Sequence, residues 1–341
     1  MKMKKEPFLE AISFLNERLR TVLERLPEEW QKQISEIRLR ANAPVLINAA
    51  GQNYFLSQGK MLLFRFAKGC LIATPEEVRE TFQRMCEYSV YSYQKQICDG
   101  FLPLQGGHRA GFGGTAVYAD GVRTGIREIS SVNLRIARAI PGAADELFRV
   151  APELTRQGGV LLAGPPNSGK TTVLRDFAHQ LSNGTRSEIQ RVVVVDERGE
   201  LAMSRRGIPQ VGEGFWCDVL DAFPKAEGIL HATRALAPQI IVCDEIGTSE
   251  EAESICAVLG AGVRLAISMH AGTKEELFER AVFQRLWKSG AFSIAVLLKD
   301  GQPGRIREVI RKGEVRNERS RVSSVIRSAD GDRDSEIPEV V

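Results

Sequence analysis

The sequence lacks the features that mark several classes of protein. No apolar run approaches the roughly 18 residues of a membrane-spanning helix. Six cysteines are scattered without a C-x-x-C pair or a histidine at ligand spacing, so we expect reduced structural thiols rather than disulfides or zinc sites. Glu6, Glu10 and Glu17 interrupt the apolar stretch that a secretory signal requires, so we expect a cytoplasmic chain.

An excess of one sign of charge is also missing. The 46 lysines and arginines nearly balance 43 acidic residues, which leaves a net charge of +3. So small an excess, without interleaved aromatic and basic residues, predicts no nucleic-acid partner. The 341 residues are 43 % hydrophobic and 26 % charged. This composition is typical of a globular protein, and the length suggests about two domains.

Residues 1–138 mix short strand patterns with helical ones, which predicts an α+β N-terminal domain. Apolar residues at helical spacing over 8–26 predict one amphipathic helix that packs on its own domain, with docking on a membrane surface as the alternative. Thr74 and Glu77 are spaced as a capping box at the start of a further helix. Asp120-Gly121, between alternating segments, predicts a hairpin.

Residues 139–315 alternate strands with helices, which predicts a parallel sheet with helices on both faces. The strand candidates are short, almost wholly apolar runs, as expected of strands covered on both sides. They are 160–163, 192–195, 240–242 and 265–267. The segment GRIREVIRKGEV predicts a final hairpin, and residues 316–341 are predicted to be a disordered tail.

The segment GPPNSGKT, residues 164–171, follows an apolar strand and precedes a helical pattern. It matches the phosphate-binding signature G-x-x-x-x-G-K-[ST] in the context that this signature requires. Main-chain N–H groups of such a loop face phosphate oxygens, and the helix amino terminus adds partial positive charge. We therefore expect ATP and Mg²⁺ to bind here. The expected nucleotide-binding residues are Gly164, Pro165, Pro166, Asn167, Ser168, Gly169, Lys170, Thr171 and Thr172.

Polar side chains follow the other strands, at the edge where ligands of parallel sheets bind. Asp196 and Glu197 follow the second strand, Asp244 and Glu245 the third, and His270 the fourth. Thr171 and Asp244 are the expected Mg²⁺ ligands. Glu245 is placed to activate the attacking water, and Asp196 or Glu197 are the alternatives for that role. His270 is either a sensor of the γ-phosphate or a strand cap.

The order of GPPNSGKT, VVVVDERGE, IIVCDEIGT and AISMHAGT resembles the secretion ATPases of type II secretion and pilus retraction. More narrowly, DVLDAFPKAEGI followed by RALAPQIIVCDEIG resembles the stage III sporulation protein AA family of endospore-forming bacteria. The resemblance implies an α/β fold, a RecA/AAA-like P-loop NTPase domain with a parallel sheet after the smaller N-terminal domain. Secretion ATPases have glutamate where this chain has Asp196 followed by Glu197, so the identity of the catalytic base stays open.

The same resemblance implies how the chain works. It implies an ATPase that assembles as a homo-oligomer, a hexamer, and energises membrane-embedded channel proteins between mother cell and forespore, from the mother-cell cytoplasmic face. It also implies that an arginine of the GHRAGFGG…GIREI hairpin, with Arg127 as the candidate, reaches the γ-phosphate. A nucleic-acid-associated ATPase, a small-molecule kinase and a nucleotide-sensing scaffold are the alternatives. Phosphate release with and without single-stranded nucleic acid discriminates among them.

Overall fold

A computed structural model of the chain describes residues 6–58, 62–156, 158–205, 207–211 and 215–312. The tail predicted at 316–341 lies outside these residues. The chain divides into two compact units, one formed by Met1–Ala139 with Ala202–Glu213 and the other by Ile140–Leu201 with Gly214–Val341. Across the described part of the chain, no helix combines the length and the apolar character needed to cross a bilayer.

The first unit is built on an antiparallel sheet with helices packed against it. Its described helices are α1 (Pro7–Ile12), α2 (Glu17–Glu24), α3 (Glu28–Gln33), α4 (Pro75–Met85) and α5 (Gln94–Asp99), with 3₁₀ turns at Val90–Tyr93 and Gln105–Gly107. Its strands are β1 (Ile34–Arg40), β2 (Ala43–Pro44), β3 (Leu46–Ala49), β4 (Gln52–Leu56), β5 (Leu62–Leu63), β6 (Ile72–Ala73), β7 (Phe101–Pro103), β8 (Arg109–Ala119) and β9 (Val122–Arg135). The main sheet has the order β5-β4-β3-β1-β9-β8-β7, and β2 pairs with β6.

The amino-terminal amphipathic segment forms two helices, so the prediction of a single helix is wrong. α1 ends at Ile12 and α2 begins at Glu17. Between them, the side chain of Asn16 accepts a hydrogen bond from the N–H of Arg18 at 3.0 Å. Asparagine is a favoured residue before the first turn of a helix, and here it starts the second one. Most apolar residues of this segment lie in the core of the first unit, including Phe8, Ile12, Leu15, Leu19 and Leu26.

Two local signals of the first unit form the structures that the sequence predicts. Thr74 and Glu77 make a reciprocal capping box at the start of α4. Asp120 and Gly121 take positive φ angles of 51° and 77° in the turn between β8 and β9. Asp and Gly tolerate that conformation with little strain, and the turn matches the twist of a hairpin.

A short excursion of the chain belongs to the first unit, although it follows Val192–Asp196, a strand of the second unit. The main-chain N–H of Gly106 donates to Oε1 of Gln210 at 3.2 Å. Arg205 forms an ion pair with Glu87. These contacts hold the described part of 202–211 on the first unit.

The second unit contains a mostly parallel sheet with helices on both faces. Its described helices are α6 (Asp145–Val150), α7 (Lys170–Ser182), α8 (Lys225–Ala235), α9 (Ser249–Val258), α10 (Lys274–Glu279) and α11 (Ala281–Ser289), with 3₁₀ turns at Pro152–Thr155 and Leu259–Ala261. Its strands are β10 (Val160–Gly164), β11 (Val192–Asp196), β12 (Asp218–Asp221), β13 (Ile240–Cys243), β14 (Arg264–His270), β15 (Ile294–Leu298) and β16 (Ile306–Arg311).

The sheet of the second unit has the order β12-β11-β13-β14-β10-β15-β16. All described pairs are parallel except β15 with β16. The four predicted strands correspond to β10, β11, β13 and β14. Of the segment predicted as a final hairpin, Ile306–Arg311 forms β16, which pairs antiparallel with β15, and residues 313–315 lie outside the described residues. The edge strand β12 was not predicted, because its sequence DVLD is too short and too acidic to resemble a buried strand.

Candidate active site

The phosphate-binding loop connects β10 to α7, as the sequence predicts. Two glycines permit its close curl. A Cβ atom on Gly164 would lie 2.5 Å from Oγ of Ser168. A Cβ on Gly169 would lie 2.6 Å from the nitrogen of Gly304, and Gly169 has a φ of 88°. A larger residue at Gly164 would displace the hydroxyl of Ser168, and one at Gly169 would displace the main chain of the turn at Gly304.

Lys170 begins α7 and is only 6 % exposed. Its ammonium donates to the carbonyl oxygens of Gly164 at 2.9 Å and Pro165 at 2.8 Å. Nδ1 of His270 lies 3.4 Å from the same nitrogen. Burial lowers the pKa of Lys170, whereas the charges of Asp244 and Glu245 oppose that effect. The lysine therefore lies between the loop, the carboxylates that follow β13 and the histidine that ends β14.

The two expected Mg²⁺ ligands lie side by side. The hydroxyl of Thr171 donates to Oδ2 of Asp244 at 2.6 Å. Asp244 is 8 % exposed, and its other carboxylate oxygen accepts from the hydroxyl of Ser268. A hydroxyl and a carboxylate are hard oxygen ligands of the kind that Mg²⁺ prefers, together with waters and phosphate oxygens. The residues present therefore fit a Mg²⁺ ion.

Glu245 follows Asp244 and has a left-handed φ of 51°. For a residue with a Cβ this conformation costs about 1–3 kcal/mol, and such strain clusters at functional sites. Its carboxylate meets Nε2 of His270 at 2.9 Å and forms an ion pair with Arg198. The main-chain N–H of Glu245 donates to Oγ of Ser268 at 3.0 Å. The strained turn thus directs this carboxylate toward the histidine at the end of β14.

The two acidic candidates after β11 have other contacts. Asp196 is 2 % exposed, and its Oδ1 accepts from the main-chain N–H of Glu200 at 2.7 Å, which fixes the turn. Oε2 of Glu197 lies 3.0 Å from Nζ of Lys225. Asp196 and Glu197 thus pair with the main chain of Glu200 and with Lys225, whereas the carboxylate of Glu245 contacts His270 in addition to Arg198.

Arg127 lies in β9, opposite Thr115 of β8. It belongs to the first unit, and the other predicted site residues all belong to the second. Its role at the γ-phosphate stays a prediction.

A pocket of about 470 Å³ lies beside the phosphate-binding loop. Gly169 and Thr172 form one side of it, and the turn between β15 and β16 forms another. The remaining lining comes from the start of the second unit. The lining residues are Ile140, Gly142, Ala143, Asp145, Glu146, Arg149, Gly169, Thr172, Pro303, Gly304 and Arg305. Its position next to the loop suits the nucleoside part of a nucleotide.

Three side chains of this site and the pocket wall were not predicted from the sequence. Ser268, Lys225 and Arg198 contact Asp244, Glu197 and Glu245, respectively. The stretch PKAEG was noticeable in the sequence, but no pattern predicted that its lysine is buried. The glycine-rich stretch GQPGR could have indicated the turn that forms part of the pocket wall. Its Gly304 donates its N–H to the carbonyl of Ser168 at 2.8 Å.

Solved structures show the fold. The pilus retraction motor PilT, solved with bound ADP, aligns with a TM-score of 0.57 at 16 % identity over 88 % of each chain. The ATPase DotB of Yersinia pseudotuberculosis aligns with a TM-score of 0.54 at 14 % identity, over 87 % of this chain and 82 % of that one. The chain therefore has the RecA-like P-loop fold of secretion ATPases, with an α+β region before it, which confirms the predicted fold class.

Sequence comparison gives a closer relationship. Stage III sporulation protein AA of Bacillus subtilis is 34 % identical over 307 residues, which cover 89 % of this chain and 95 % of the relative. The family model described as sporulation stage III, protein AA matches residues 3–316. The chain belongs to the sporulation stage III protein AA family.

Proposed function

We propose that the chain is an ATPase that uses Mg²⁺ at the carboxyl edge of the second sheet. The observation that carries the proposal is the 2.6 Å hydrogen bond between Thr171 and Asp244, which lies next to Lys170. This arrangement joins a phosphate-binding loop to a cation site, as phosphoryl transfer requires. Bound Mg²⁺ would neutralise the charge of the phosphate oxygens. The adjacent pocket would hold the nucleoside.

In the proposed reaction, water attacks the γ-phosphorus, and the bond from that phosphorus to the bridging oxygen breaks. ADP and inorganic phosphate are the products. Glu245 accepts the proton of the attacking water, and His270 orients its carboxylate. Lys170 stabilises the negative charge that develops on the phosphate oxygens.

We extend the proposal to an oligomeric motor, a hexamer, that energises channel proteins in the membrane between mother cell and forespore, on the mother-cell side. Membership of a sporulation family and the fold of secretion ATPases support this extension. Arg127 would complete the site during hydrolysis, as an arginine finger does. A fluorescent fusion that stays diffuse throughout sporulation would contradict the proposed location.

Phosphate release by the purified full chain tests the activity. We expect release that requires Mg²⁺, rises per subunit with protein concentration and does not respond to single-stranded nucleic acid. Release that depends on nucleic acid would favour a nucleic-acid-associated ATPase. Nucleotide binding without release would favour a nucleotide-sensing scaffold.

A further inference from the structure

Lys225 is a buried lysine at the start of α8, in the stretch PKAEG. Only 7 % of the residue is exposed. Its Nζ lies 3.0 Å from Oε2 of Glu197 and 3.5 Å from Oε1 of Glu251. It also donates to the main-chain carbonyl of Glu245 at 3.2 Å. An ammonium carries three N–H donors, and three oxygens from three different segments surround this one.

Two of these contacts bring negative charge to the ammonium. Burial alone would lower the pKa of Lys225, but the hydrogen bond with Glu197 and the charges of Glu251 and Glu197 raise it overall. Lys225 is therefore charged near neutral pH. Two carboxylates suffice to compensate a buried ammonium, so charge balance does not require the third contact, with a carbonyl.

The third contact falls on the strained turn of the candidate active site. The peptide groups on both sides of Glu245 are fixed. Its N–H donates to Oγ of Ser268 at 3.0 Å, and the N–H of Ile246 donates to the carbonyl of Ser268 at 2.8 Å. Lys225 holds the carbonyl of Glu245 itself. A left-handed φ at a non-glycine residue persists only where the surroundings fix it in this way.

We propose that Lys225 is a positioning residue, which holds the Glu245 turn so that the carboxylate stays within hydrogen-bond distance of His270. Its effect on turnover rests on the proposed ATPase function, but its effect on the turn does not. The proposal also gives Glu197 a role as the counter-ion that keeps Lys225 charged and in place. The PKAEG stretch then contributes to the active site through Lys225, which holds the main chain of Glu245.

The test compares two variants with a matched control. Lys225→Met keeps the unbranched part of the side chain as far as Cε and removes the ammonium. Lys225→Met with Glu251→Gln also removes the buried charge that the first variant leaves without a counter-ion, and glutamine can still accept the main-chain N–H groups of Gly247 and Thr248, which protects the fold. Lys288→Met, on the exposed face of α11, is the control. Each is measured for phosphate release, for affinity toward a fluorescent ATP analogue, and for hydrogen exchange of peptides over 243–248.

We expect both Lys225 variants to release phosphate about 10- to 100-fold more slowly, the scale of a misplaced catalytic group. Nucleotide affinity should change little, because the phosphate-binding loop is untouched. Exchange at the amides of Glu245 and Ile246 should become faster. The control should match the wild type in all three measurements.

Unchanged exchange over 243–248 in the folded double variant would overturn the proposal, whatever happens to turnover. Faster exchange with wild-type turnover would overturn its catalytic part. If the wild type itself releases no phosphate, the ATPase proposal fails, and faster exchange in the variants would still support the positioning role. If Lys225→Met does not fold, the double variant alone decides the result.

Discussion

Nε2 of His270 lies 2.9 Å from Oε1 of Glu245. A carboxylate can only accept, so the histidine donates from Nε2, and in its neutral form Nδ1 is then an acceptor. Nδ1 faces the ammonium of Lys170 at 3.4 Å. This single ring therefore joins the lysine of the phosphate-binding loop to the candidate base.

Replacing Glu245 by glutamine tests the chemical step. The amide keeps the shape and the hydrogen bonding of the side chain but cannot take a proton. We expect retained ATP binding and hydrolysis reduced by about 10²-fold or more, the usual contribution of a general base. Phosphate release and a binding titration measure the two effects, with Glu250→Gln on the exposed side of α9 as the control. Normal hydrolysis here, with loss of activity in Asp196→Asn or Glu197→Gln, would move the base to the end of β11.

Replacing Lys170 by alanine tests the phosphate-binding loop. The change removes a charged donor but leaves the main-chain N–H groups of the loop. We expect ATP affinity to fall by about 10- to 100-fold, because a hydrogen bond to a charged group contributes about 1.5–3 kcal/mol. Lys288→Ala is the control. A Lys170 variant that binds and hydrolyses ATP like the wild type would show that nucleotide binds elsewhere.

Replacing Thr171 by alanine tests the cation site. The variant loses the hydroxyl that lies 2.6 Å from Asp244, whereas Thr171→Ser keeps it. We expect the Mg²⁺ concentration for half-maximal hydrolysis to rise by about 10-fold or more in the alanine variant, the scale for groups that support a bound metal. The serine variant should behave like the wild type. An alanine variant with the Mg²⁺ dependence of the wild type would show that Thr171 is not a ligand of the ion.

Replacing Arg127 by alanine in the full chain tests the finger. If subunits complete one another's sites, turnover per subunit rises with protein concentration, and Arg127→Ala should blunt that rise. Arg79→Ala, exposed on α4, is the control. The full chain is preferable to residues 142–341 alone, because the excursion at 202–211 has its partners Gly106 and Glu87 in the first unit. An Arg127 variant with wild-type turnover at every concentration would exclude the finger.

We expect the free energy of unfolding to depend on pH because of the buried side chain of His108. The residue is fully buried, and Nδ1 accepts from the N–H of Ala137 at 3.0 Å. Burial, with the charge of Arg138, lowers its pKa to about 4, against an unfolded value near 6.5. The unfolded chain therefore binds a proton more readily. The resulting stability is fully present above about pH 6.5 and is lost as the pH falls toward 4, by about 3 kcal/mol.

Urea unfolding at pH 7.5 and pH 5, monitored by hydrogen exchange of peptides from β9, measures this dependence. His108→Asn should weaken it, because asparagine keeps an acceptor but does not titrate. His231→Asn, at an exposed position on α8, should leave it unchanged. The same loss of stability in His108→Asn as in the wild type would assign the effect to other groups.

Local chemistry made much of the fold predictable. The capping box of Thr74 and the Asp120-Gly121 turn depend on contacts between residues that are close in sequence. The phosphate-binding loop and the ends of β11, β13 and β14 follow from a motif and from the geometry of parallel strands. The break at Asn16 is also local, but the apolar spacing through it continues at helical period, and a period alone does not show where a helix is interrupted.

The remaining features depend on contacts that are distant in sequence. Lys225 contacts Glu197 and the carbonyl of Glu245. The sequence around Lys225 does not indicate these contacts, and neither does the sequence around Glu197 or Glu245. The pocket wall combines 140–149 with the turn at 303–305. These contacts result from the packing of the whole unit, and the spacing of apolar residues in the sequence does not indicate them.

The excursion at 202–211 also limits how this chain can be recombined. A chimera joined only at residue 139 would carry the amino-terminal unit of one parent and Arg205 and Gln210 of the other. Each of the pairs Arg205–Glu87 and Gly106–Gln210 would then combine a residue of one parent with a residue of the other. An exchange of the amino-terminal unit therefore has to transfer two separate stretches of the gene, and these two stretches should be inherited together.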